Sequence, residues 1–63
     1  MTYTQWEEVM DECAFLTYCG EAYYQSGYDK SNKKFEFTSL NGKSKLYTTF
    51  EDALRNSGFS ITY

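Results

Sequence analysis

Asn41-Gly42 stands between two short runs in which apolar and polar residues alternate, residues 34–40 and 43–48. A two-residue hairpin loop of type I′ needs positive φ at both central positions, and Asn-Gly is the pair that tolerates this best. The predicted pairing sets Leu40 opposite Lys43, Phe37 opposite Leu46 and Phe35 opposite Thr48. Phe35, Phe37 and Leu46 then share a face to be buried, while Glu36, Thr38, Leu40, Lys43, Lys45 and Tyr47 share the other. A hairpin is marginal by itself in water, so the rest of the chain must cover that apolar face.

The residues that follow supply one cover. Thr48 or Thr49 is placed to cap a second helix, with Glu51 and Asp52 in its first turn, where the helix dipole favours acids. Phe50, Ala53 and Leu54 face inward. Gly58 falls where a left-handed C′ glycine ends a helix, and Phe59 then packs back on Leu54. Residues 59–63 alternate as a last strand, with Phe59, Ile61 and Tyr63 on one face.

The N-terminal half reads as helix. Thr4-Gln5-Trp6-Glu7 fits a capping box, in which Thr4 accepts from the Glu7 N–H while Glu7 reaches back. Trp6, Val9, Met10, Cys13, Leu16 and Thr17 recur at helical spacing, and Gly20, Tyr23 and Tyr24 continue the stripe. Gly20 either ends this helix as a left-handed cap, leaving residues 22–28 extended, or lies within a helix that stops near Ser26-Gly27. The unbroken register favours the longer helix, with residues 28–34 as a polar connector. The expected fold is therefore α+β in the order α-β-β-α-β. It has a three-stranded sheet, formed by the Asn41-Gly42 hairpin and the C-terminal strand, with helices packed on one face.

The 63 residues allow a single domain spanning residues 1–63. A chain this short buries only about 60% of its unfolded surface. Its seven Tyr, five Phe and Trp6 supplement the core, because each ring buries a large area at small entropy cost. Dimerisation is the other available supplement.

Several chemistries are excluded or weakened. The chain has no histidine, which removes the commonest general base and the Ser-His and Cys-His pairs. Cys13 and Cys19 cannot close a four-ligand zinc site within one chain. On one helix they would stand about 9 Å apart in rise, too far for a disulfide, so reduced thiols and a cytoplasmic setting are expected. Cys13, on the stripe, is expected to be buried as a small apolar residue, and Cys19 to lie at a boundary. The four glycines are scattered rather than gathered in a phosphate loop. No signal peptide and no apolar run of membrane-spanning length is seen. The expectation is a non-enzymatic protein with no cofactor and no metal.

Charge supplies the functional expectation. Residues 1–29 carry Glu7, Glu8, Asp11, Glu12, Glu21 and Asp29 with no base, whereas residues 30–63 carry six bases against three acids. On a helical wheel with Trp6 at zero, Phe15 falls at about 180° and Tyr18 at about 120°. Both then share the outer face with Glu7, Glu8 and Asp11, and Glu12 adds to the same acidic helix. Aromatics ringed by charge have the composition of a binding patch, for a basic protein partner or a second copy. A second surface gathers Lys30, Lys33, Lys34, Lys43 and Lys45 with Tyr47. Such a ribbon could track a nucleic-acid backbone, although lysines at a hairpin also guard against aggregation, and that role outweighs the first.

In size, acidity and lack of catalytic motifs, the chain is similar in general character to small acidic phage-encoded inhibitors such as anti-CRISPR proteins. The likeness implies action by occlusion. Glu7, Glu8, Asp11 and Glu12 would stand in for phosphates against a nucleic-acid-handling partner, with Phe15 and Tyr18 as anchors. The alternatives are a nucleic-acid-binding protein using Lys33, Lys34, Lys43, Lys45 and Tyr47, and a self-associating accessory protein.

Overall fold

The computed structural model describes residues 1–62, so the placement expected for Tyr63 lies outside the described residues. Two helices and five strands follow one another: α1 (Tyr3–Asp11), β1 (Phe15–Tyr18), β2 (Glu21–Asp29), β3 (Lys34–Ser39), β4 (Lys45–Thr48), α2 (Phe50–Arg55) and β5 (Phe59–Thr62). The strands form one antiparallel sheet in the order β4-β3-β2-β1-β5. β4 and β5 occupy opposite edges, and α2 carries the chain from one to the other. The class is α+β, but the sheet has five strands where three were expected. Among the described residues, no helix is long and apolar enough to cross a membrane.

The two extra strands come from the segment read as one long helix. α1 is capped by Thr2, not Thr4: Thr2 Oγ1 accepts from the Gln5 N–H at 3.2 Å, and Gln5 Oε1 accepts from the Thr2 N–H at 2.9 Å. The helix ends at Asp11, and Glu12 caps it through its N–H to the Glu8 carbonyl at 3.0 Å. Cys13 then turns left-handed (φ +58°), and the Ala14 N–H reaches back to the Glu8 carbonyl. Beyond this stop, Phe15-Leu16-Thr17-Tyr18 alternates as well as it spirals, and β-branched and aromatic residues suit a pleated surface.

The type I′ turn lies at Cys19-Gly20. Tyr18 pairs with Glu21, leaving a two-residue loop with φ +52° at Cys19 and +77° at Gly20. At Asn41-Gly42 only Gly42 is left-handed, at φ +75°. The loop there has four residues, Leu40 to Lys43, closed by the Ser39 N–H on the Ser44 carbonyl at 2.9 Å. Asn41 Oδ1 accepts from the Lys43 N–H (2.9 Å) and from Ser39 Oγ (2.6 Å). Two- and four-residue loops centred on the same bond give the same register. The predicted pairs Phe37–Leu46 and Phe35–Thr48 therefore form.

The second helix follows its sequence signals at the start and departs from them at the end. Thr49 Oγ1 accepts from the Asp52 N–H, and Ala53 is fully buried. Gly58 does not serve as a left-handed cap. Asn56 turns the chain instead, its Oδ1 accepting from the Gly58 N–H at 2.8 Å. Glycine suits position 58 because a Cβ there would stand 3.0 Å from Tyr18 Cε1.

Leu16, Tyr23, Phe37 and Phe59 line the sheet face that meets Trp6 and Val9 of α1 and Ala53 of α2. Trp6 meets Phe35, Phe37 and Phe50 edge to face, with centroids at 5.1, 6.3 and 5.6 Å. Trp6→Ala is expected to cost about 3–5 kcal/mol, a large share of the 5–15 kcal/mol typical of a domain. Urea unfolding followed by far-UV circular dichroism would measure it. Cys19→Asn places a residue tolerant of positive φ in the type I′ turn and is expected to add about 0.5–1 kcal/mol. A lowered urea midpoint for that variant would show that the thiol itself contributes a contact.

Candidate partner-binding surfaces

The residues predicted as one helical patch divide between a helix and a strand. Glu7, Glu8 and Asp11 lie on α1 and Glu12 caps it. Glu7, Asp11 and Glu12 are exposed and Glu8 is half-buried. Phe15 and Tyr18 belong to β1. Three residues apart they would be neighbours on a helix, but on a strand they point to opposite faces. Tyr18 turns to the helix-covered side and stacks on Phe59 at a centroid distance of 4.5 Å. It lines a cleft of about 280 Å³ beneath α2, with Thr48, Asp52, Arg55 and Asn56.

Phe15 lies on the opposite face from Tyr18, close to the end of α1. It joins Val9, Met10, Cys13, Ala14, Tyr24 and Gln25 around an open, mainly apolar pocket of about 370 Å³, where the chain passes from α1 into β1. Asp11 and Glu12 lie in the chain between Met10 and Cys13, two of the residues that line this pocket. Cys13 is exposed there rather than buried, because its left-handed turn takes it off the helical stripe. Cys19 is also exposed, at the tip of the β1–β2 turn.

The acids of α1 are misplaced for stability. The first turn holds no acid and the last turn no base. Carboxylates near a helix C-terminus face the negative end of the macrodipole, at a cost of about 0.3–1 kcal/mol each at an exposed site. Asp11 and Glu12 bear this cost, because α1 begins at Tyr3 and ends at Asp11.

The lysines are separated by the sheet. Lys30 and Lys33 lie in the β2–β3 loop and Lys34 opens β3, whereas Lys43 lies in the β3–β4 loop and Lys45 opens β4. The two loops stand at opposite ends of β3, about 20 Å apart at strand rise. Lys45 Nζ approaches Glu36 Oε1 at 3.6 Å, and the Tyr47 hydroxyl donates to the same oxygen at 3.2 Å. This sheet face also bears the exposed rings of Phe15, Tyr24 and Tyr47, of which Phe15 and Tyr24 border the pocket that Val9 and Met10 of α1 line.

Comparison with protein-family models, curated proteins and solved structures finds no match. The chemistry of the surfaces therefore carries the functional argument.

Glu36 organises the open face. Its Oε2 accepts from Ser26 Oγ at 2.7 Å, and Thr38 Oγ1 donates to that Ser26 oxygen at 2.7 Å. The Ser26 hydroxyl first, then the Tyr47 hydroxyl and the Lys45 ammonium, hold the Glu36 carboxyl below its ordinary value of 4.5. A carboxyl depressed in the folded state stabilises the fold above its unfolded value and loses that contribution as pH falls through the folded value. Glu36→Gln should therefore flatten the loss of stability as pH falls below the ordinary value of 4.5. Urea midpoints across that range provide the measurement, and parallel acid limbs in the two proteins would show that the network contributes nothing.

Proposed function

We propose that this chain is a non-enzymatic protein-binding module that engages a basic surface of its partner through the end of α1 and the Phe15 pocket. The observation that carries the reading is the position of Asp11 and Glu12. They stand at the end of α1 where carboxylates oppose the helix dipole, and they adjoin in the chain Met10 and Cys13, which wall an open pocket with Phe15. Charge held at a cost beside an apolar recess suits a site that receives an apolar side chain with Lys or Arg next to it. Glu7 and Glu8 extend the acidic strip along α1.

The partner class follows from the charge. Closely spaced carboxylates can occupy the places that phosphates take on a nucleic-acid-handling protein, which is the mode of action implied by the likeness to small acidic phage-type inhibitors, anti-CRISPR proteins among them. Tyr18 is not needed at this site, and Phe15 supplies the aromatic anchor.

The double charge reversal Asp11→Lys with Glu12→Lys separates binding from stability. It is expected to raise the stability of the free protein by a few tenths to about 1 kcal/mol, because bases now meet the negative helix end. It is also expected to abolish partner capture, as is Phe15→Ala. Capture from host lysate, with and without nuclease and read by mass spectrometry, tests this. A nuclease-resistant protein with a basic cleft, retained by the wild type and lost by both variants, supports the reading. Capture unchanged by charge reversal sinks it. Recovery that vanishes with nuclease transfers the role to Lys33, Lys34, Lys43, Lys45 and Tyr47.

A further inference from the structure

The sheet has two outer edges and a partly open stretch on β2, and these are guarded unequally. β4 carries Lys45, and charge on an edge strand discourages pairing. Residues 25–29 of β2 run past the end of β1, but a bulge between Gln25 and Gly27 breaks their register, and bulges twist an edge away from new partners. β5 has none of these devices. Phe59-Ser60-Ile61-Thr62 contains no charge and no proline, and its pairing with β1 is unbroken from Phe59 to Thr62.

The hydrogen-bond alternation identifies which backbone groups point outward. Tyr18 and Glu21 close the two-residue β1–β2 turn, so Tyr18 and Leu16 direct their peptide groups toward β2. Thr17 directs its own toward β5, opposite Ser60. The Phe59 N–H is engaged by the Asn56 carbonyl at 3.2 Å, consistent with this phase. The N–H and C=O of Ile61, opposite Leu16, therefore point away from β1 to the free edge.

The surroundings select the occupant. β1 and β5 carry no charged residue, and α1, which packs against β5, carries Glu7, Glu8 and Asp11 with no base. All five lysines lie on β3, β4 and the loops flanking β3, on the far side of the sheet, and Arg55 lines the cleft at the Phe59 end of β5, away from Ile61. A second copy pairing β5 to β5 would bring two acidic helices together. An extended segment bearing Lys or Arg meets both the unpaired peptide groups and the acidic helix.

We propose that β5 is a strand acceptor that takes an extended, lysine- or arginine-bearing segment of the partner protein by β-augmentation at Ile61. The proposal rests on the protein-binding reading above and adds the mode of docking. The test uses the full chain made by chemical synthesis, with a ligation at Cys19, in two forms: natural, and with Nα-methyl-Ile61. The methyl group removes the outward donor while keeping the side chain and the inner hydrogen bonds.

The probe is an acetylated nine-residue peptide of alternating Lys and Val, with the alternating Glu and Val peptide as control. In the natural chain, the Lys peptide is expected to shift the amide resonances of residues 59–62 and to slow Ile61 amide exchange by at least about tenfold. The Glu peptide should do neither, and the methylated chain should bind at least about tenfold more weakly. Equal binding by the methylated chain, or no binding at all, overturns the edge proposal. Shifts confined to Cys13, Phe15 and Tyr24 also overturn it, while leaving the protein-binding reading standing. Concentration-dependent dimerisation that the Ile61 methyl group abolishes would overturn the stated occupant in favour of a second copy. Loss of the Asp11 and Glu12 dependence of partner capture is a separate result and touches only the parent reading.

Discussion

Trp6 is where the three parts of the molecule meet. From α1 it reaches Phe35 and Phe37 on β3 and Phe50 on α2, each ring edge to face. A domain of this size has little core to spare, and its fully buried side chains are few: Phe37, Leu16, Val9 and Ser39 are the largest. One indole that touches both helices and the middle of the sheet couples elements that would otherwise be independent. α2 has only six residues, too few to be helical alone, and its order depends on this contact and on its Thr49 cap.

The same scarcity shapes the surfaces. With both helices on one side, the other side of the sheet keeps its aromatic rings in contact with water. The polar network of Glu36, Ser26, Thr38 and Tyr47 ties together β2, β3 and β4 there without any helix above. Charge is sorted across the sheet as well as along the chain. The acidic helix lies beside β5 and the lysines gather around β3 and β4. A molecule so polarised presents opposite faces to partners of opposite charge, and its association rates should depend on salt. At Asp11 and Glu12 the proposed binding role and the stability of the free chain pull in opposite directions.

How much was legible in the sequence differs sharply between the two halves. From Lys34 onward the local signals act together. Alternation placed Phe35, Phe37 and Leu46 on one face, the loop centre set the register, and Thr49 with Ala53 marked α2. Before Lys34 two periodicities overlap. Trp6, Val9, Cys13, Leu16, Gly20, Tyr23 and Tyr24 fit a helical stripe, yet Leu16 and Tyr18, and Glu21 and Tyr23, also fit a strand. The markers that decide between them are weak in sequence: a left-handed Cys13 that stops α1 and a left-handed Cys19 that turns β1 into β2. Cysteine is not a residue from which positive φ is read. The candidate site was half legible for the same reason. Phe15 follows closely on the end of α1 where Asp11 and Glu12 lie, but Tyr18 belongs to the other face of a strand.

By itself the sequence determined the α+β class, the β3–β4 register, the second helix and the separation of acidic from basic residues. These depend on contacts within a few residues or on composition, which local chemistry specifies. Only the tertiary structure decided that residues 15–29 form two strands and their turn, that Gly58 serves a close approach to Tyr18, and that β5 borders β1 with the peptide groups of Ile61 at the free edge. Those outcomes depend on partners far away in the chain. A segment that satisfies both a helical and a strand pattern takes the form in which its peptide groups and apolar side chains find long-range partners.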